Sequence, residues 1–414
     1  MSIEIAPGTL VADAELDAIR GIAQAGLPAY LADLERLVNI DCGSYSPAGV
    51  NEVADWVAAD LASNGATVER LPDGQGRFGD TVIGRFDGRP GAGPRVLLIG
   101  HMDTVFEDGT AAERPFRIED GNAKGPGVSD MKGGLLLGLR AIAALRAFAG
   151  GRLERLPFES ITFVANPDEE IGSPSSTPHI RRLAESTDVC FVLEAARASG
   201  DFVSERKGIA DQRIVVHGRA AHAGVEPEKG RNAILAGAEL TRGIQALNGR
   251  WPGVTANVGV FKAGTRPNIV PDRAEIEVDV RATTAEGLDH VVRAIRQLTE
   301  APAVPDVTMD ISTMATWAPM EKLERSGRLA DHTIALAHRL GFKTKDVATG
   351  GASDANTTSG MGVPTIDGLG PVGGLDHAPG EYLEVDSIVP RLALVAALLL
   401  EVGRDPVVAA WRAV

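Results

Sequence analysis

The sequence predicts an α/β protein of two domains, the first interrupted by the second. Three observations carry this. RVLLIG (95–100), SITFVA (160–165) and DVCFVL (188–193) are continuous apolar runs bounded by turn formers, and such runs suit central strands covered on both faces. A helical stretch, about 132–148, separates the first two runs, and strands alternating with helices build a layered sheet. Between 209 and 314 the rhythm changes to strand, helix, strand, strand, helix, strand, the ferredoxin-like βαββαβ order.

The elements follow in order. Residues 10–62 are helical in two pieces. Leu31, Leu34, Leu37 and Val38 recur at helical spacing, and so do Val53, Trp56, Val57 and Leu61, with the turn formers DCGSYSPAG between them. In the insert, strands are expected at 209–217, 254–262, 273–282 and 307–313, and helices at 228–248 and 285–300. The strand EIEVDVR alternates: Ile276, Val278 and Val280 face one side, Glu275, Glu277, Asp279 and Arg281 the other. One face of that sheet is therefore solvated or at an interface. Residues 323–340 read as helix, 346–369 as loop and short strand, and 387–402 as a closing helix. The discontinuous first domain is expected at 1–208 and 317–414, and the inserted one at 209–316.

Bulk properties bound the function. A chain of 414 residues is too long for one ordinary domain. Aromatics are 4% of it, so the core must be mainly Leu, Val, Ile and Ala. A net charge of -15 repels phosphate backbones and argues against nucleic acid as a partner. It also means that an anionic substrate must be caught by local positive groups. Cys42 and Cys190 read as free thiols of a reducing compartment. The N-terminal stretch has no secretory pattern, and no run of apolar residues is long enough to span a membrane. A cytoplasmic protein without a membrane partner is expected.

Five places put His, Asp or Glu near the ends of apolar strands or in tight loops, and ligands in α/β sheets gather outside the carboxyl ends of strands. In GHMDTV, His101 could bind a metal while Asp103 holds its other ring nitrogen; equally, the pair is a histidine capped at a strand end. In GPGVSDMKGG, Asp130 is a ligand or a helix N-cap. In NPDEEIGS, adjacent Glu169 and Glu170 can serve a metal and a water separately, or form a solvated acidic turn. Glu194 closes a buried strand, where a carboxylate must be paired or coordinated, with Arg197 as the alternative partner. In LDHAPGEYLE, His377 lies in a Gly/Pro-rich loop of the kind that presents functional groups. His290, His332 and His338 sit on expected helices and read as surface residues.

Taken together and in this order, these motifs strongly resemble the two-zinc aminoacylase and carboxypeptidase family, peptidase family M20, over nearly the whole chain. The resemblance implies a zinc-peptidase catalytic domain with a mixed central sheet flanked by helices, and an inserted ferredoxin-like lid and dimerisation domain. It implies two zinc ions per subunit, with cobalt or manganese as alternatives. His101 and Glu194 would bind one ion, Glu170 and His377 the other, and Asp130 both. Glu169 would be the general base and Asp103 the support of His101. A cis peptide bond is implied between Asp130 and Met131. His222, in RAAHAGVEPEKGRNAI, matches a histidine that crosses to the partner subunit's site and stabilises the oxyanion. Arg281, Asn268 and the loop around Gly351 match positions that bind the substrate's free carboxylate. The alternative for Arg281 is a pair with an acidic residue on its own face. GHMDTVF and ERPFRIEDGNAKGPGVSD are most similar to the glutamate-releasing carboxypeptidases. After Glu194, however, Ala195 and Ala196 replace a small polar pair, which leaves an N-acyl-amino-acid deacylase or dipeptidase open. A metal-stabilised homodimer that only binds is a remoter alternative.

Overall fold

The computed structural model describes residues 6–413; residues 1–5, the start of the N-terminal stretch read above, and 414 lie outside them. The chain divides into two compact units. The first holds Met1–Ser204, Lys322–Ala348 and Ser353–Val414, the second Glu205–Glu321 and Thr349–Ala352. The second is wider than 209–316. A bridge between Arg206 and Met320 lengthens its base. Residues 349–352 join it because the carbonyls of Gly350 and Gly351 accept bonds from Arg281 and Arg206.

In chain order the elements used below are α1 (Asp13–Val38), α2 (Pro47–Ser63), β1 (Thr67–Leu71), β2 (Thr81–Asp87), β3 (Arg95–His101), α3 (Gly134–Phe148), β4 (Ser160–Asn166) and β5 (Val189–Val192). The second unit supplies β6 (Gly208–His217), α4 (Ala233–Gln245), β7 (Thr255–Ala263), β8 (Arg273–Ala282), α5 (Ala285–Glu300) and β9 (Thr308–Trp317). The first unit resumes with α6 (Glu324–Arg339), α7 (Asp354–Gly360), β10 (Thr365–Ile366) and α8 (Val385–Arg404).

The first unit is built on a mixed six-stranded sheet in the order β1-β2-β4-β3-β5-β10. The strands β4, β3, β5 and β10 run parallel, while β1 and β2 are antiparallel additions at one edge. Every residue of β4 and β5 is buried, as continuous apolar runs require of strands sandwiched between layers. The helices α1, α3 and α8 pack on one another and supply much of the core. α3 starts two residues later than periodicity places it. The chain first makes a wide turn over Val128–Gly133, in which Asp130 and Met131 are not helical, and the Asp130–Met131 peptide is cis.

The second unit is an antiparallel sheet in the order β7-β8-β6-β9 against which α4 and α5 pack. Along β8, Ala274, Ile276, Val278, Val280 and Ala282 are buried and the intervening residues are not. α4 begins at Ala233, five residues after the expected 228. Pro227–Lys229 form a separate 3-10 turn, and the Asn232 side chain caps the helix by accepting from Leu235 N–H.

Two expectations fail. α7 lies in the 346–369 stretch read as loop and short strand, because its residues are polar yet buried and show no apolar period. His332 is not on the surface: it is fully buried, with Nε2 2.8 Å from Asp405 Oδ2 and Gly8 N–H on Nδ1. The hydrophobic pattern of α6 cannot show that this one polar side chain is covered by Gly8 and Asp405. Both cysteines are buried and free, and no described helix is long and apolar enough to cross a membrane.

Candidate metal centre

The parallel neighbours β4, β3 and β5 end at one edge of the sheet, and their continuations carry the acidic and imidazole groups. His101 is the last residue of β3 and pairs in register with Asn166, the last of β4. The DEE turn follows β4, and Glu194 lies two residues past β5. Gly134 lets α3 start against this edge, since a Cβ there would lie 1.8 Å from the Leu193 carbonyl oxygen.

His101 is buried and sits between two sets of acceptors. Its Nδ1 is 2.9 Å from the Asp103 carbonyl oxygen and 3.3 Å from Asp103 Oδ1. Its Nε2 is 3.0 Å from Asp130 Oδ1 and 3.7 Å from Glu194 Oε1. Donation from Nδ1 to Asp103 assigns the tautomer and turns Nε2 toward the acidic cluster. On the other side, His377 Nε2 is 3.1 Å from Asp130 Oδ2 and 3.1 Å from Glu170 Oε2. Asp130 thus offers one oxygen to each imidazole. The possible ligand atoms of His101, Asp130 and Glu170 form one close group within 4.8 Å, and those of His101, Glu169 and Glu194 another.

The electrostatics of these groups are mutual. Burial alone would raise the Asp130 carboxyl, but the two imidazoles hold it well below the usual carboxylate range. Asp130 and then Glu170 push His377 up to about 10. Burial works against protonated His101, yet Asp103 and Asp130 outweigh it and raise its pKa. Burial, followed by the Glu194 carboxylate, drives Glu169 well above its ordinary value. Two imidazoles facing carboxylates crowded this closely are a donor set suited to divalent cations. The residues present therefore fit the metals that the sequence resemblance implies.

Supporting bonds fix the cluster. Asp103, fully buried, accepts from Ser44 Oγ–H at 2.6 Å and from the backbone N–H groups of Glu169 and Glu170 at 3.1 and 3.2 Å. One side chain therefore aligns His101 and the DEE turn together. Sequence reasoning missed two more carboxylates. Glu381 accepts from the N–H groups of Gly127, Ser129 and Asp130 at 2.8–3.0 Å and so holds the Asp130 turn; burial pushes its carboxyl up to about 7. Asp354 accepts from Asn166 and Ser173 behind the DEE turn, and burial raises it to about 7 as well. Glu381 stood in view, four residues after His377, but its partners are backbone groups some 250 positions earlier.

Of the remaining candidates, Arg281, Asn268, His222 and Gly351 belong to the second unit. Arg281 takes the alternative offered for it: Nε and Nη2 bind Asp279, while Nη1 donates to the Gly350 carbonyl at 2.8 Å. Gly351 O accepts from Arg206 at 3.0 Å. Asn268 O accepts from Ala223 N–H at 3.0 Å. His222 is exposed on a two-residue strand, with Gly224 N–H on its Nδ1.

Comparison with known proteins points the same way. The model of peptidase family M20/M25/M40 matches residues 97–401. Carboxypeptidase G2 of Pseudomonas sp. (strain RS-16) is 30% identical over 96% of this chain and 94% of its own length. A succinyl-diaminopimelate desuccinylase of Dechloromonas aromatica (strain RCB) is 27% identical over 74% of this chain and 83% of its own. The aminopeptidase PepT of Bacillus cereus ATCC 10987 superposes with a TM-score of 0.73 at 23% identity, covering 91% of this chain and 99% of that one. At that identity the match speaks for the fold alone.

Proposed function

The chain belongs to peptidase family M20/M25/M40, and on that footing we propose that this hydrolytic metallopeptidase is a two-zinc enzyme cutting an amide bond next to a free carboxylate. The favoured reading is release of C-terminal glutamate from folate-like, N-acyl or peptidyl substrates. Cobalt or manganese also suits such carboxylate-rich sites. One observation carries the proposal: Asp130 presents one oxygen to His101 and the other to His377, at 3.0 and 3.1 Å. That is how a carboxylate shared by two cations would be set.

His101 and Glu194 would hold one cation, Glu170 and His377 the other. Bound there, two cations lower the pKa of a water and polarise the scissile carbonyl. Glu169, its proton affinity raised by burial, takes the proton of the attacking water and passes it to the leaving amine. Asp103 keeps His101 in one tautomer. Arg281 and Asn268, with the Gly351 backbone, take the substrate's carboxylate; the Arg281 fork, which now grips Asp279, exchanges one carboxylate for another. His222 stabilises the oxyanion in a second subunit's site, so the working form is a homodimer. Ala195 and Ala196, both buried, stand where the glutamate enzymes are expected to carry polar groups. They favour, as a second reading, an N-acyl-amino-acid deacylase or dipeptidase with the same centre.

The test is a panel of C-terminal amino acids and N-acyl groups offered to the zinc-loaded protein. Glu169→Gln should keep its metal and lose about 10²–10⁴ in kcat, the usual worth of a general base. Purified protein that retains no divalent metal, or a Glu169→Gln variant within about threefold of wild-type kcat, ends the proposal.

A further inference from the structure

The first unit has a cavity of about 550 Å³ lined by residues 43–46, residues 104–108, Glu170 and Ile171. Glu170 also faces His377, so the cavity and the metal cluster share a wall. The segment 43–46 is part of the DCGSYSPAG break between α1 and α2, which the roles assigned so far touch only through Ser44. The segment 104–108 follows the His101–Asp103 pair.

These two segments are joined, which makes the cavity preformed. Ser44 N–H donates to Thr104 O at 3.2 Å and Thr104 N–H to Cys42 O at 2.9 Å. Gly43 leaves no gap: a Cβ on it would sit 2.4 Å from the Phe106 carbonyl oxygen. Tyr45 is 76% exposed although its ring lies against Phe78, with centroids 5.9 Å apart. An aromatic ring braced on one side and open on the other offers a flat apolar contact at small entropic cost. Val105 is exposed as well, and Ile171 closes the apolar lining beside Glu170.

The charge on this lining has one sign. Glu107 and Asp108 contribute carboxylates at a distance from the metal cluster, Glu170 is paired with His377, and among the described residues no Lys, Arg or His lines the cavity. The Arg114 guanidinium lies over the Phe106 ring at 4.6 Å and is not part of the lining, and His377 approaches the lining only through Glu170, at 3.1 Å. Asp108 accepts a bond from Ser46 Oγ–H; Glu107 is exposed. An acidic group reaching Glu107 and Asp108 would meet like charges with no cationic side chain in the lining to offset them, whereas a flat neutral or cationic group would meet rings and carboxylates.

We propose that this cavity is the acyl-side subsite and that Tyr45, Glu107 and Asp108 make it select a flat apolar acyl group, uncharged or cationic, against a dicarboxylic one. The proposal rests on the amide-hydrolase reading above. Its test uses the zinc-loaded full chain with N-benzoyl, N-acetyl and N-succinyl derivatives of one C-terminal amino acid. N-benzoyl should exceed N-succinyl by more than about tenfold in kcat/KM. Tyr45→Ala should lower the benzoyl-to-acetyl ratio about tenfold, and Glu107→Lys should raise the succinyl-to-acetyl ratio about tenfold. A Tyr45→Ala variant in which that ratio is unchanged, or a Glu107→Lys variant indifferent to succinyl, overturns the assignment. If none of the three is hydrolysed, the amide-hydrolase reading falls on its own. Calorimetric titration with N-benzoylglycine and N-succinylglycine then decides the cavity: equal affinities, unmoved by Glu107→Lys, would refute it.

Discussion

Gly134→Ala sets two principles against each other. Gly134 has ordinary right-handed helical angles, φ -67° and ψ -42°, at the start of α3. Helix propensity alone therefore credits alanine with about 0.8–1 kcal/mol. The added Cβ, however, would stand 1.8 Å from the Leu193 carbonyl oxygen. Neither partner is a flexible side-chain end: one is the first turn of a buried helix, the other the end of a central strand. To reach an ordinary contact they must part by more than about 1.5 Å, and close-packed interiors give way to such a shift only at a cost. Overpacking of this kind costs about 1–3 kcal/mol where side chains can yield, and more where backbone must move. A net loss of at least about 2 kcal/mol is expected, and at about 2–4 °C per kcal/mol a fall in Tm of 4 °C or more. The displaced strand end carries Glu194 toward or away from His101, so activity should fall about 100-fold, as for other misplacements near 1 Å. Gly21→Ala is the control. It lies inside α1 with open space where the Cβ would go, so it should gain up to about 1 kcal/mol. Thermal melts, denaturant titration and kcat on one substrate read out both variants. If Gly134→Ala melts at or above the wild type with unchanged kcat, the close approach of α3 to β5 is not what sets this edge of the sheet.

Other outcomes are expected. Glu381→Ala removes the acceptor of three N–H groups around Asp130, and metal titration should show affinity reduced about 10–100-fold, as for other residues that orient ligands. Arg404 holds Glu15 through Nη1 and Nη2 at 2.6 and 2.8 Å and lowers its carboxyl below the ordinary 4.5. A lowered carboxylate stabilises the fold above its unfolded pKa and loses that contribution as pH falls through the folded one. Glu15→Gln should therefore flatten the acid limb of the stability curve below pH 4.5 by about 1 kcal/mol or less, the scale of a partly exposed pair. Chelation should abolish hydrolysis and lower Tm, with both restored by zinc, because ions that bind only the folded state stabilise it.

Local pattern revealed what depends on nearest neighbours in the chain. The runs at 95–100, 160–165 and 188–193 mark β3, β4 and β5 because a strand buried on both faces must be apolar throughout. The alternation of EIEVDVR marks β8 because one face of its sheet is covered by helices and the other is not. The same method is blind where buried residues are polar. In α7, Asp354, Asn356, Thr357, Thr358 and Ser359 are all buried. The available sign was the Ser353 capping box rather than any apolar stripe. His332 was misplaced for a related reason: its partners, Gly8, Glu401 and Asp405, lie far away in the chain.

The sequence by itself determined the class of architecture, the insertion of one unit into another, and the residue types available for chemistry, because periodicity and residue chemistry are local properties. Tertiary structure alone decided that His101 and His377, 276 positions apart in numbering, meet on opposite oxygens of one aspartate, and that Asp103 and Glu381 hold the turns on either side. Those facts depend on distances of about 3 Å between remote segments. Such distances are set by how strands align and helices pack, and no window of consecutive residues contains them.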